Sequence, residues 1–128
     1  MDSTPASILL VEDDEVNLLV AKHLLNRLGH LVTTATNGEE AIAAVRKQPF
    51  ALILMDIEMP VMDGLEATRR LRSMPEGKDI PIVALTAHVL PEKLAEIKAA
   101  GLEDYLIKPF ELPKFEAVLA TYLSEGGQ

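Results

Sequence analysis

Five short runs of apolar residues, 8–11, 31–35, 51–55, 82–85 and 104–107, recur along a chain of 128 residues. Each is long enough for a strand and too short for a buried helix. The segments between and after them, 15–28, 38–47, 64–73, 91–100 and 111–123, carry apolar residues at helical spacing. Gly29 and Gly101 follow helical segments as left-handed stops, and Pro91 stands where a first helical turn begins. Pro81 opens the fourth strand. Strict alternation of strand and helix leaves one economical architecture, an α/β fold with a parallel sheet, helices on both faces and right-handed crossovers. Runs 51–55 and 82–85 are continuously apolar, as central strands covered on both faces require. Thr33 and Thr34 make the second run more polar and suit it to an edge, as does the short fifth run.

An apolar fraction of 48% against 25% charged residues is enough for a packed core. The expected layout is a short extension over 1–7, one domain over 8–123, and a frayed end or cut linker over 124–128. No cysteine is present, which removes disulfides, thiolate metal sites and thiol nucleophiles and fits a reducing cytoplasm. No stretch approaches a membrane span, and the start lacks the basic and apolar regions of a leader. Twenty acids against 12 bases argue against a direct nucleic-acid partner. The surplus is localised. Glu12, Asp13, Asp14, Glu15, Asp56, Glu58, Asp63 and Glu66 fall in two segments, 12–15 and 56–66, without lysine or arginine.

In open parallel sheets ligands bind beyond the carboxyl ends of the strands. The residues that follow the apolar runs are Glu12 and Asp13, then Asp56, Thr86 and Lys108. One rim is thus expected to collect carboxylates, a hydroxyl and an ammonium. Carboxylates crowded in a cleft repel and are costly to bury unless neutralised. A hard divalent cation held by a few carboxylates and water answers that, with Mg²⁺ the natural choice because it also recruits phosphate oxygens. A solvated helix N-terminus would explain 12–15 alone; it does not explain Asp56, Thr86 and Lys108.

Leu9-Leu10-Val11-Glu12-Asp13-Asp14, Leu54-Met55-Asp56-Ile57-Glu58-Met59-Pro60 with Asp63-Gly64, Ala84-Leu85-Thr86-Ala87, and Tyr105-Leu106-Ile107-Lys108-Pro109-Phe110 together resemble the receiver domain of two-component response regulators. The resemblance implies a five-stranded, doubly wound (βα)5 sheet of order 2-1-3-4-5. It implies Asp56 as a carboxylate nucleophile taking a phosphoryl group from phosphohistidine. Mg²⁺ would be held by Asp13, Asp56 and the backbone carbonyl of Glu58, with Glu12 acting through water. Lys108 would pair with Asp56 and then with phosphoryl oxygens, its direction fixed by a cis bond to Pro109. Thr86 and Tyr105 would switch the surface of the fourth helix, fifth strand and fifth helix, which meets a downstream protein.

Glu58 and His88 occupy positions that tune acyl-phosphate lifetime in such domains, and His88 would make release depend on pH near neutrality. In the first helix, Asn17, Val20, Ala21, Leu24, Leu25 and Leu28 suffice as a core stripe, while Val16, Leu19 and His23 fall on another face, expected to dock a helix of the phosphodonor. The run Glu15-Val16-Asn17-Leu18-Leu19 and the Leu28-Gly29-His30 turn are similar to receivers fused to hybrid sensor kinases, which exchange phosphate with histidine-phosphotransfer bundles. Two other functions compete. A haloacid-dehalogenase-like phosphohydrolase also pairs a strand-end Asp with an acid two residues on, but its further acids follow the lysine, whereas here they precede the nucleophile. A silent interaction module would not need Asp13, Asp56, Thr86 and Lys108 together. The expected domain is therefore a phosphoacceptor without turnover of an external substrate.

Overall fold

A computed structural model of the chain describes residues 6–59, 61–87 and 90–123. The elements alternate as expected: β1 (Ser7–Val11), α1 (Glu15–Arg27), β2 (Leu31–Ala35), α2 (Gly38–Lys47), β3 (Leu52–Asp56), α3 (Gly64–Arg72), β4 (Ile82–Thr86), α4 (Pro91–Ala100), β5 (Asp104–Ile107) and α5 (Leu112–Leu123). All strand pairs are parallel, in the order β2-β1-β3-β4-β5. The first helices start where short polar side chains can accept an otherwise unpaired backbone N–H: Asp14 from Asn17, Asn37 from Glu40, Asp63 from Glu66. Gly29 and Gly101 take positive φ values of 90° and 103°, and Pro91 opens α4. The Lys108–Pro109 bond is cis.

Side-chain alternation along the strands divides the interior into two layers. Leu9, Val11, Ile53, Met55, Ile82 and Ala84 face α2, α3 and α4. Ile8, Leu10, Leu52, Leu54, Val83 and Leu85 face α1 and α5, where Leu25, Phe115 and Leu119 close over them. The central strands are buried at every position, whereas β2 is mostly half-buried or exposed, in keeping with its two threonines.

Two details differ from the sequence reading. β3 and β4 each run one residue past their apolar runs, because the ladder continues to Asp56 opposite Leu85 and to Thr86 opposite Ile107. Asp56 and Thr86 are therefore the last residues of strands. In α1, Val20 is 42% exposed rather than part of the core, and Leu18 packs inward instead. Apolar residues encircle this helix, so their spacing alone leaves the inward face ambiguous. The residues that pack are Leu18, Ala21, Leu24, Leu25 and Leu28, one face of the helix. Among the described residues no helix is long and apolar enough to cross a membrane.

Candidate functional site

The parallel register places the ends of β1, β3, β4 and β5 on one rim. Carboxylate oxygens of Glu12, Asp13 and Asp56 lie there within 4.8 Å of one another. Glu12 is wholly buried, Asp56 is 1% exposed, and Asp13 faces solvent. Lys108 arrives from the end of β5, its backbone N–H bonded to the Thr86 carbonyl at 2.9 Å. Its ammonium lies 3.1 Å from Asp56 Oδ2 and 3.0 Å from Glu12 Oε1. The backbone N–H of Glu58 donates to Asp56 Oδ1 at 3.0 Å, and that of Asp14 to Glu12 Oε2 at 3.1 Å. Among the described residues no aligned hydrogen-bond donor reaches Glu12 Oε1, so the ammonium answers its charge.

Three carboxylates and one ammonium leave an excess of negative charge around two buried acids, Glu12 and Asp56. Burial, a carboxyl–carboxyl contact with Glu12 and repulsion from its charge push Asp56 up to about 6, against the pull of the Glu58 N–H and of Lys108. Asp13, although it faces solvent, is raised by slight desolvation at the mouth of the cluster and by its contact with Asp56. Burial alone would lower Lys108, but Glu12 and Asp56 outweigh it and hold the ammonium above its ordinary value. The cluster thus has the composition and spacing for a divalent cation with oxygen ligands, and a charge deficit that such a cation would fill.

Gly64 makes this geometry possible. A Cβ there would collide with the Asp56 carbonyl oxygen and come within 2.8 Å of Ile57 Cα, so α3 can start this close to the end of β3 only from a glycine. Of the remaining acids in the two base-free segments, Asp14 and Asp63 cap helices, and Glu66 pairs with Arg69 and Arg70. Three of the eight acids therefore converge. The Glu58 side chain points to solvent. Thr86 is buried at the end of β4, and Tyr105 is half-buried against the layer formed by α2, α3 and α4. Val16 and Leu19 are each 67% exposed, and His23 is exposed. His88 lies outside the described residues. The Glu12–Lys108 pair was not expected: it joins β1 to β5 across a sheet in which they are not neighbours, and no local spacing announces it.

The family model of the response regulator receiver domain matches residues 8–120. A probable histidine kinase 1 of Oryza sativa is 38% identical over 94% of this chain, which spans 16% of that relative's length. The crystal structure of the receiver domain of sensor histidine kinase PA1611 from Pseudomonas aeruginosa, with magnesium coordinated in its active-site cleft, superposes with a TM-score of 0.87 at 39% identity, covering 93% of this chain and 98% of that one. The receiver domain of Ssk1 from Saccharomyces cerevisiae, crystallised with the histidine phosphotransfer protein Ypd1, is similar at a TM-score of 0.86 and 26% identity, over 92% of this chain and 88% of that one. With its sheet order and its strand-end acids facing a lysine, the chain belongs to the response regulator receiver domains of two-component signal transduction.

Proposed function

We propose that Asp56 accepts a phosphoryl group from the phosphohistidine of a histidine kinase or a histidine-phosphotransfer protein. The observation that carries this reading is the Lys108 ammonium held between Asp56 and Glu12, inside a cluster of three carboxylates. An Asp56 oxygen forms the new P–O bond as the P–N bond breaks and its electron pair returns to the imidazole. The Glu58 N–H and Lys108 fix the carboxylate's orientation, and Lys108 stands beside the equatorial oxygens, where transition-state charge needs a positive group. Asp13, Asp56 and the Glu58 carbonyl would hold Mg²⁺, with Glu12 acting through water. A cation bound there would neutralise the remaining phosphoryl charge. In this reading the domain promotes its own phosphorylation and dephosphorylation without turning over an external substrate.

Thr86 ends the strand beside Asp56, which supports a reading in which its hydroxyl follows a newly attached phosphoryl group. Tyr105 stands one strand further and is only half-buried, which fits a side chain that turns inward on phosphorylation. These two residues would carry the switch to the surface of α4, β5 and α5, where a downstream protein binds. Val16, Leu19 and His23 would receive the donor's helix, and Glu58 and His88 would set phosphoryl lifetime. The match to part of a much longer histidine kinase supports a role in a phosphorelay or within a hybrid kinase.

The test is phosphotransfer profiling against phosphorylated histidine kinases and phosphotransfer proteins, with Mg²⁺ and with chelator, beside Asp56→Asn. Rapid, Mg²⁺-dependent labelling from at least one donor, lost in Asp56→Asn, is expected. Labelling that survives Asp56→Asn would overturn the assignment.

A further inference from the structure

The segment joining β3 to α3 contains a costly residue. Met59 and Met62 are both buried, and the Met62 carbonyl accepts from the Gly38 N–H at 3.2 Å, anchoring the loop to the start of α2. Between them Val61 has φ of 70°, in the left-handed region. For a β-branched residue this is a true outlier, since its branched Cβ crowds the backbone. Glycine or asparagine takes the same conformation at less cost. The loop explains the backbone but not the side chain, which is 76% exposed and returns little packing. A strained apolar residue without a packing role in its own fold points toward function.

Its neighbours on the surface give that pointer a direction. Apart from Val20 and Leu31, the strongly exposed large apolar side chains among the described residues are Val16, Leu19, Val61, Leu90, Ile107 and Leu112. Val16, Val61, Leu90, Ile107 and Leu112 lie at or within five residues of the carboxyl end of a strand, the end that carries Asp56 in β3, and Leu19 lies one turn further along α1. Val16 and Leu19 follow β1 and Val61 follows β3, its neighbour in the sheet. A macromolecular donor must cover this rim to bring a phosphohistidine to Asp56, whereas a small phosphodonor has no surface to lay on it.

We infer that Val61 is a specificity-determining contact for the helical, histidine-bearing phosphodonor, retained at the expense of stability. The inference rests on the proposed role of Asp56 and names a further residue of the surface that selects the donor. Val61 would insert beside the donor's histidine while Val16 and Leu19 meet the apolar side of its helix.

Val61→Asn and Val61→Gly test it, with a phosphorylated histidine-phosphotransfer protein and acetyl phosphate as the two donors. Val61→Asn is expected to raise Tm by about 3 to 6 °C. Both variants are expected to raise the protein donor's half-saturating concentration about tenfold while leaving the limiting rate unmoved. The ratio of protein-donor to acetyl phosphate efficiency falls accordingly, and Val61→Ile restores it. Unchanged half-saturation in both variants would overturn the inference, as would equal losses with the two donors, which would mark a disturbed loop. An unchanged Tm in Val61→Asn would remove the premise of strain. Wild-type chain that accepts nothing from any histidine donor would instead refute the role of Asp56, a separate result from wild-type transfer that Val61→Asn leaves intact.

Discussion

Asp56 keeps its proton up to about pH 6 because the folded chain buries it beside Glu12, and the unfolded chain does neither. A raised carboxyl pKa favours folding fully below the unfolded value near 4, and that contribution is lost as pH rises through the folded value. Metal-free protein is therefore expected to be more stable as Asp56→Asn than as wild type at pH 7 to 8, by about 3 kcal/mol. The gap should close below about pH 4. Urea unfolding with chelator across this range checks it, and a pH-independent gap would contradict the charge argument. On the proposed Mg²⁺ site, adding Mg²⁺ should reverse the order, because a ligand that binds only the native state stabilises it by mass action and Asp56→Asn would remove one of the donors. At this scale the cluster was legible: Glu12, Asp13, Asp56 and Lys108 follow apolar runs that announce the strands carrying them to one rim. Glu12's bond to Lys108 was not, since a pair between distant strand ends leaves no mark in local spacing.

At the level of elements, α1 and α3 show two ways of building around the rim. α3 starts against the last residue of β3, where only hydrogen fits at Gly64. Gly64→Ala should displace the helix start, cost about 3 kcal/mol through overpacking, and slow labelling of Asp56 by every donor, acetyl phosphate included. Equal stability and labelling in Gly64→Ala would show that the loop yields. α1 instead leaves Val16 and Leu19 in solvent. Leu19→Asp should slow transfer from a histidine donor about tenfold, and acetyl phosphate labelling much less; equal loss with both donors would reject docking there. The strands were readable to within a residue because β-sheet burial imposes long apolar runs. The inward face of α1 differs from the expectation at Val20 because leucines and valines surround the helix, and contact with β1 and β2 decides which of them pack.

Across the whole molecule, one side chain ties the side opposite the rim together. Arg72, near the end of α3, donates to the carbonyls of Gly77, Lys78, Ile80 and Gly101 and to both oxygens of Glu103, which itself accepts from the Ile82 N–H. It joins α3, the entry to β4 and the turn between α4 and β5. The ion pair is partly exposed and worth little by itself. The unmet carbonyls make Arg72→Ala cost about 2 to 3 kcal/mol, and lysine, lacking the planar fork, should recover little of it. A lower urea midpoint with unchanged slope is the expected signature. This clamp was invisible in the sequence, where Arg72 is one of three arginines in the last turns of α3. At the opposite rim Glu12, Asp13 and Asp56 gather at the proposed phosphoryl site centred on Asp56. The most direct measurement of that role is the site, stoichiometry and chemical stability of the label left after incubation with a phosphorylated histidine donor and Mg²⁺. One phosphoryl group per chain is expected, on Asp56, stable to acid and labile to base; a label on another residue, or catalytic turnover of a phosphomonoester without a lasting label, would overturn the assignment.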